Sequence, residues 1–324
     1  MDNYRKDLRL LLAPLRGVTP ATFRNVFAAH FKGFSAALAP FITTARTRRS
    51  RRHHFRDILP ENNRSWPVVP QLIGNDPSAF VECARVVRDL GYSQVNWNLG
   101  CPAPTVTRKH RGSALLSQPL RIRSFLETVV PQLPCRLSIK TRLGFEGPDQ
   151  LAALMPLLNE FPLEEIIIHP RTGAQRYGGA IDYDRFGACL AASRCPVVYN
   201  GDIAAPGDCL ALCRRFPRAA GWMIGRGALA NPFLPSLIRG EPLPADPLAA
   251  VKAFHDDLYG RYRDELSGPA HVLGRMKELW SYLGLSLANG DALLKKIRKA
   301  NRFAEYETAV EGHFASIGVG RILE

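Results

Sequence analysis

Lys140 lies inside the apolar run CRLSIKTRL (135–143), where an ammonium must reach an anion or a water-filled opening, or else be expensively desolvated. Holding an anionic group is the chemistry it offers. Cys101 stands between Gly100 and Pro102, in a segment that can be neither regular helix nor regular strand. A free thiol, with an unperturbed pKa near about 8.5, keeps its proton at neutral pH and can still release it. His169 follows EEIII and precedes Pro170-Arg171, which suits either proton handling or a satisfied core histidine. Gly225-Arg226-Gly227, leading into ALANPFL, suits a phosphate held on backbone N–H groups at a helix start. Asn200-Gly201-Asp202 fits a plain turn as well as a ligand-facing loop, and Gln71 taken alone says little.

These residues share one property, which emerges from the elements that must carry them. Eight short apolar runs of strand length recur: 8–15, 34–41, 67–74, 93–99, 135–143, 164–170, 196–203 and 221–227. Amphipathic stretches of helical length separate them, such as 19–31, 76–91, 147–161 and 206–216. Strands alternating with helices must pair in parallel, and eight such units in about 240 residues is the size of a (β/α)8 barrel. In that architecture chemistry collects at the carboxyl ends of the strands. Arg16 and Gly17, Gln71, Asn96 and Asn98, Cys101, Lys140 and Arg142, His169 and Arg171, Asn200 and Asp202, and Arg226 all fall at those ends. After the proline-containing stretch 238–250, residues 246–316 read as successive helices. The expected fold is therefore α/β: a TIM barrel over 1–240, followed by a small all-helical domain over 241–324.

With 324 residues, 46% hydrophobic and 22% charged, the chain has globular composition, which excludes a disordered or collagen-like protein. No apolar run reaches the roughly 18–20 residues that cross a bilayer, so no membrane association and a cytoplasmic location are expected. The 43 Lys and Arg against 29 Asp and Glu give a net charge of +14, which makes a polyanion a candidate partner. TARTRRSRRHHFRD places six arginines between Arg46 and Arg56 with no acid before Asp57. LLKKIRKANRF adds Lys295, Lys296, Arg298, Lys299 and Arg302. Two unopposed basic surfaces fit a long polyanion better than a single phosphate ester. Arg171, Arg176 and Tyr177 add guanidinium and aromatic groups suited to a splayed-out base. Seven cysteines, with no C-x-x-C pair, argue against a disulfide framework or a structural zinc site, and no metal is expected.

The same residues carry a family resemblance. LLAPLRGVTPATFR, PVVPQLIGNDP, VNWNLGCPAPTVTRKHRGSALL, LSIKTRLG, IIIHPRTGAQRYGG, VVYNGDI, WMIGRGALANP and HVLGRMKELWSYLG, in that order, resemble the tRNA-dihydrouridine synthases, flavoenzymes that reduce specific uridines of transfer RNA. The resemblance implies FMN as cofactor, NADPH or NADH as reductant and tRNA as substrate, and a monomer with no stable protein partner is expected. It places Pro14, Leu15 and Arg16 against the isoalloxazine, Gln71 and Lys140 in hydrogen bonds to the ring, and His169 close to it. Asn200, Gly201, Asp202, Gly225 and Arg226 would take the ribityl chain and phosphate. Cys101 would be the proton donor, Asn98 would hold the uracil edge, and Arg171 and Tyr177 would line the entrance. Leu15 stands where the family usually has Met, Arg16 where a small or acidic residue is common, and Pro170 where Gly is common. HVLGRMKELWSYLG looks most like the synthases acting on position 16 of the D-loop, whereas VTRKHRGSALL looks more like another bacterial subgroup. An FMN oxidoreductase of a free pyrimidine, such as dihydroorotate, would explain the barrel but not the basic surface. A tRNA-binding protein without catalysis would leave the strand-end residues idle, and a phosphate-binding barrel of biosynthesis explains Cys101 least.

Overall fold

The computed structural model describes residues 3–44 and 54–316. Ten strand segments form one parallel sheet: β1 (Leu10–Leu12), β2 (Ala36–Leu38), β3 (Ile42–Thr43), β4 (Val68–Val69), β5 (Gln71–Ile73), β6 (Gln94–Leu99), β7 (Arg136–Gly144), β8 (Leu163–Thr172), β9 (Val197–Asn200) and β10 (Gly221–Ile224). Their hydrogen-bonded order is β3-β5-β6-β7-β8-β9-β10-β1-β2-β4. Only Ala39-Pro40-Phe41 separates β2 from β3, and only Pro70 separates β4 from β5. Ala37 pairs with Val68 below the prolines and Ile42 with Leu72 above them, so these four segments are two strands interrupted by prolines. Proline has no N–H to give to a ladder, which accounts for the breaks. Joined across them, the segments are the eight expected strands, closed into a barrel by the β10–β1 pairing.

α1 (Asn3–Lys6) precedes β1; α2 (Ala21–His30), α3 (Pro77–Asp89), α4 (Pro104–Thr107), α5 (Pro119–Val129), α6 (Gln150–Leu158), α7 (Tyr183–Ala192) and α8 (Pro206–Arg215) fill the crossovers, and α9 (Arg226–Ala230) and α10 (Leu234–Ile238) follow β10. Several starts are written locally. The Asp76 carboxylate accepts from Ala79 N at 3.0 Å with Pro77 in the first turn, and Asp182 accepts from Arg185 N at 3.0 Å.

Side-chain alternation along the strands sorts the interior. On β6, Val95, Trp97 and Leu99 face the helices, and Trp97 stacks on Phe125 of α5 at 4.1 Å between ring centroids. Asn96 and Asn98, on the opposite face, point into the barrel. The same period of two on β7 sends Leu137, Ile139 and Leu143 outward and Ser138, Lys140 and Arg142 inward. Leu11, Leu38, Ile167, Val198 and Met223 form a separate apolar cluster inside the barrel, beneath the polar strand ends.

Four further helices follow: α11 (Pro247–Glu265), α12 (Gly268–Leu283), α13 (Gly290–Lys299) and α14 (Phe303–Ser316). Phe254 of α11 packs against Phe23 and Phe27 of α2 and against Phe31 just after that helix, with centroids 5.9, 5.9 and 5.1 Å away. This apolar contact makes the barrel wall and the C-terminal helices parts of one core. Among the described residues no helix is long and apolar enough to cross a membrane.

Candidate active site

A cavity of about 150 Å³ opens at the carboxyl ends of the strands. Pro14, Leu15, Arg16, Gln71, Asn98, Cys101, Lys140, His169, Tyr177, Asn200, Gly201, Asp202, Gly225 and Arg226 all line it. Of the residues expected at the strand ends from sequence, Gly17, Asn96 and Arg171 are not in its lining.

A chain of buried amides fixes the floor. The Asn98 side-chain oxygen accepts from the backbone N–H groups of Gly100 (3.1 Å) and Cys101 (2.9 Å). Since those groups can only donate, the Asn98 amide must point the other way, where it donates to Gln71 Oε1 at 2.8 Å. Gln71 Nε2 in turn donates to Asn96 Oδ1 at 2.8 Å, and Asn96 Nδ2 to Ser138 Oγ at 2.9 Å. The network sets both the orientation of Gln71 and the start of the Cys101 loop.

That loop is fastened from its other side as well. Ser113 donates to the Cys101 carbonyl from its N–H and from its hydroxyl, each at 3.1 Å. Gly112 has φ +60°, and a Cβ there would sit 2.5 Å from the Cys101 oxygen, so only glycine allows this approach. Burial pushes the Cys101 thiol pKa up, against the opposing pull of the Ala103 N–H and of Arg142, Arg16 and Lys140. The thiol therefore holds its proton at neutral pH.

Lys140 Nζ donates to Asn200 Oδ1 at 2.6 Å, and Asn200 is itself oriented by donating to the Met223 carbonyl at 2.8 Å. Among the described residues no carboxylate pairs with Lys140. Burial, with the neighbouring Arg142 charge, pulls its pKa down to about 7, against the opposing influence of Cys101. An anion placed in the cavity would restore its charge.

Opposite lies a cluster of guanidinium groups. Arg171 Nη1 is 3.3 Å from His169 Nε2. Arg171 can only donate, so Nε2 accepts and Nδ1 carries the His169 proton. Burial and then the cations Arg142, Lys140, Arg171 and Arg226 hold the His169 pKa well below the usual range, and the ring is neutral. Asp202 accepts from both Arg171 and Arg226 Nη2, the latter at 2.8 Å. The Arg171 hydrogen bonds lower its carboxyl pKa against burial. Tyr177, 51% exposed, covers the opening, with Arg142 and Arg226 lying over its ring at 5.4 and 5.0 Å. At the last strand, Gly225 precedes α9, and a Cβ on Gly227 would meet the Ile203 oxygen at 2.0 Å, which again demands glycine.

Arg171 corrects the expectation of an entrance residue. It is 4% exposed and spends its N–H groups on the Gly179 carbonyl, Asp202 and His169. The cause is strand parity: two residues after His169 on β8 it points into the barrel, where a buried guanidinium needs acceptors on every side. Residues 46–52 of the arginine run lie outside the described residues. Lys295, Lys296, Arg298, Lys299 and Arg302 are exposed, while Leu293 and Ile297 bury the opposite face of α13.

Arg142 is the residue that sequence reasoning named at a strand end but gave no task. Its guanidinium donates to the carbonyls of Gly100 (2.9 Å), Thr172 (2.9 Å) and Arg176 (2.5 Å). It thereby ties the loop carrying Cys101 to the loop carrying Tyr177. The signal was its period-two spacing from Lys140. Arg142→Met leaves three carbonyls without this donor, a loss of about 1–3 kcal/mol for each buried unsatisfied group. We expect turnover to fall on the order of 10²-fold through misplacement of the loops. Steady-state kinetics with unchanged turnover would show that the loops hold themselves.

Residues 11–314 match the family described as Dihydrouridine synthase (Dus). The tRNA-dihydrouridine(16) synthase of Ralstonia nicotianae is 30% identical over 322 residues, covering 96% of this chain and 97% of that protein. The tRNA-dihydrouridine synthase B of Pseudomonas aeruginosa is 31% identical over 257 residues, covering 77% and 76%. Among solved structures, a morphinone reductase in complex with tetrahydroNAD superposes with a TM-score of 0.51 at 12% identity, over 71% of this chain and 86% of that one, a likeness of fold. With a family match across nearly the whole length and relatives aligned over most of theirs, the chain belongs to the dihydrouridine synthase family.

Proposed function

We propose that this oxidoreductase of the dihydrouridine synthase family reduces a D-loop uridine of tRNA, at position 16, to 5,6-dihydrouridine with FMN as cofactor and NADPH or NADH as reductant. The observation that carries the proposal is the meeting of a protonated thiol, an ammonium held by the Asn200 amide oxygen and the Gly225-Arg226 turn in one cavity.

The residues suit a flavin mononucleotide by their chemistry. Lys140 offers a cation to an anionic ring edge, and Gln71 is a pre-oriented amide beside it. His169 has a free Nδ1–H, since its other nitrogen is engaged by Arg171. Pro14 and Leu15 supply an apolar surface, and Arg226 with Gly225 the phosphate end; Asn200, Gly201 and Asp202 border the space between. When bound, FMN supplies a hydride to C6 of uracil after being reduced by the nicotinamide nucleotide.

Everything else is the work of the chain. Cys101 delivers a proton to C5, and burial keeps that proton in place until it is needed. An aspartate there, with an unperturbed pKa near about 3.9, would arrive ionised. Asn98 holds the loop and keeps one amide hydrogen for the uracil edge, while Tyr177 offers an exposed ring at the mouth for an extruded base. Arg171 acts from behind, by holding His169 and Asp202. Extruding the uridine costs a few kcal/mol, which phosphate contacts to the basic surfaces must offset.

Position 16 is favoured because the alignment with the position-16 relative runs over 96% of this chain. Incubating the purified protein with unmodified tRNA and NADPH, then mapping dihydrouridine by sequence position, tests the reading. We expect product at position 16. Product elsewhere corrects the position, and turnover of a free pyrimidine with none on tRNA rejects the reading.

A further inference from the structure

From residue 90 to residue 126 the chain has no acidic residue, yet Arg108, Lys109, His110 and Arg111 stand together there, in the connection that follows β6. Arg108, Lys109 and His110 are exposed, and none of them has an ion-pair partner among the described residues. This is not a loose surface loop. Asn75 Nδ2 donates to the carbonyls of Lys109 (3.1 Å) and His110 (3.2 Å), and Arg111 Nε donates back to Asn75 Oδ1 at 3.2 Å. His110 has φ +51°, a left-handed conformation uncommon for a residue with a side chain, at the point where Asn75 holds its carbonyl. The cations are thus presented from a rigid backbone, and the next two residues, Gly112 and Ser113, are those that grip the Cys101 carbonyl.

We infer that residues 108–111 form a subsite for backbone phosphates of the RNA strand beside the nucleotide held in the cavity. The inference rests on the proposed tRNA substrate. Three features favour it. The loop is on the same side of the barrel as the strand ends, next to Cys101. It lies outside the cavity lining, where a neighbouring nucleotide rather than the reacting base would sit. Its unopposed cations suit repeated single charges along a strand, which displace counterions on binding. Because the subsite and the thiol are consecutive parts of one braced segment, a phosphate seated on the loop fixes the distance from the RNA backbone to the proton donor.

The test is Arg108→Ala/Lys109→Ala in the flavin-loaded enzyme, assayed with unmodified tRNA over a salt series at saturating NADPH. We expect KM for tRNA to rise about tenfold, and the slope of log kcat/KM against log salt to become shallower by about 1.4, for two contacts at ~0.7 each on a single strand. The charge-keeping exchange Arg108→Lys/Lys109→Arg should restore both. Unchanged KM and slope would overturn the subsite. So would a rise in KM for NADPH in place of that for tRNA, which would assign the loop to the dinucleotide, or a fall in kcat alone, which would reduce it to a brace for Cys101. If the unaltered protein forms no dihydrouridine on any tRNA, the functional reading fails by itself. The subsite is then judged by anisotropy with labelled tRNA: a tenfold loss of affinity in the double variant supports it, and equal affinity ends it.

Discussion

Cys101→Ala should retain bound flavin and lose turnover on tRNA by about 10²–10⁴-fold, the range that a positioned general acid supplies. The side chain is small and half-buried, and its loop is braced through backbone atoms that the substitution leaves in place: the Cys101 N–H to Asn98 and the Cys101 carbonyl to Ser113. The cavity should therefore keep its shape while losing its proton donor. Reduction of the bound flavin by NADPH, followed by its absorbance without tRNA, separates the two halves of the reaction: it should proceed in the variant, while dihydrouridine formation stalls. Cys101→Ser restores a hydroxyl in place of the thiol, but with a far weaker acid, and should remain close to the alanine variant. Turnover within a few-fold of the unaltered protein in Cys101→Ala would remove this thiol from the mechanism.

Lys140→Met should cut flavin-dependent turnover on the order of 10²–10³-fold, comparable to the removal of one preorganised donor from a site of developing charge. The same variant should alter stability in the opposite direction. The folded-state pKa of Lys140, drawn down to about 7 by burial, lies below its unfolded value of about 10.4. Between those two values the unfolded chain binds more protons than the folded one, so the flavin-free protein gains stability as pH rises through that window. Below pH 7 the folded state carries the full cost of a desolvated ammonium. Methionine has no such cost. Denaturant melts of the flavin-free proteins should show Lys140→Met more stable than the unaltered chain at pH 6, with the difference shrinking towards pH 10. Curves that run parallel across that range would show that Lys140 is solvated in the flavin-free protein and would weaken its assignment as the cation of the flavin edge.

Much of this molecule can be read along the chain because the period of the pattern is the structure. SQVNWNL is a strand since apolar residues alternate with inward polar ones, EEIIIHP is one since its three consecutive isoleucines are buried on both faces of a parallel sheet, and the barrel follows from eight such runs joined by helices. Strand ends follow in turn, and with them Cys101, Lys140, His169, Asn200 and Arg226 on one side of the barrel. Family motifs of the same residues point to the same family as the whole-length match. What a one-dimensional pattern cannot carry is the partner of each polar group. Arg171 and Arg142 are both strand-end arginines two residues beyond a site residue, and nothing in their neighbours along the chain distinguishes them. Folding places Asp202, His169 and the Gly179 carbonyl around Arg171 and draws it away from the opening, while three loop carbonyls converge on Arg142. The thiol pKa of Cys101, raised by burial, and the ammonium pKa of Lys140, lowered by it, depend on neighbours tens of residues distant. Local order was written in composition and spacing because helices and strands are short-range periodic objects. Protonation and hydrogen-bond partners had to await the barrel, because desolvation and Coulomb interaction act through space between residues that only its closure brings together.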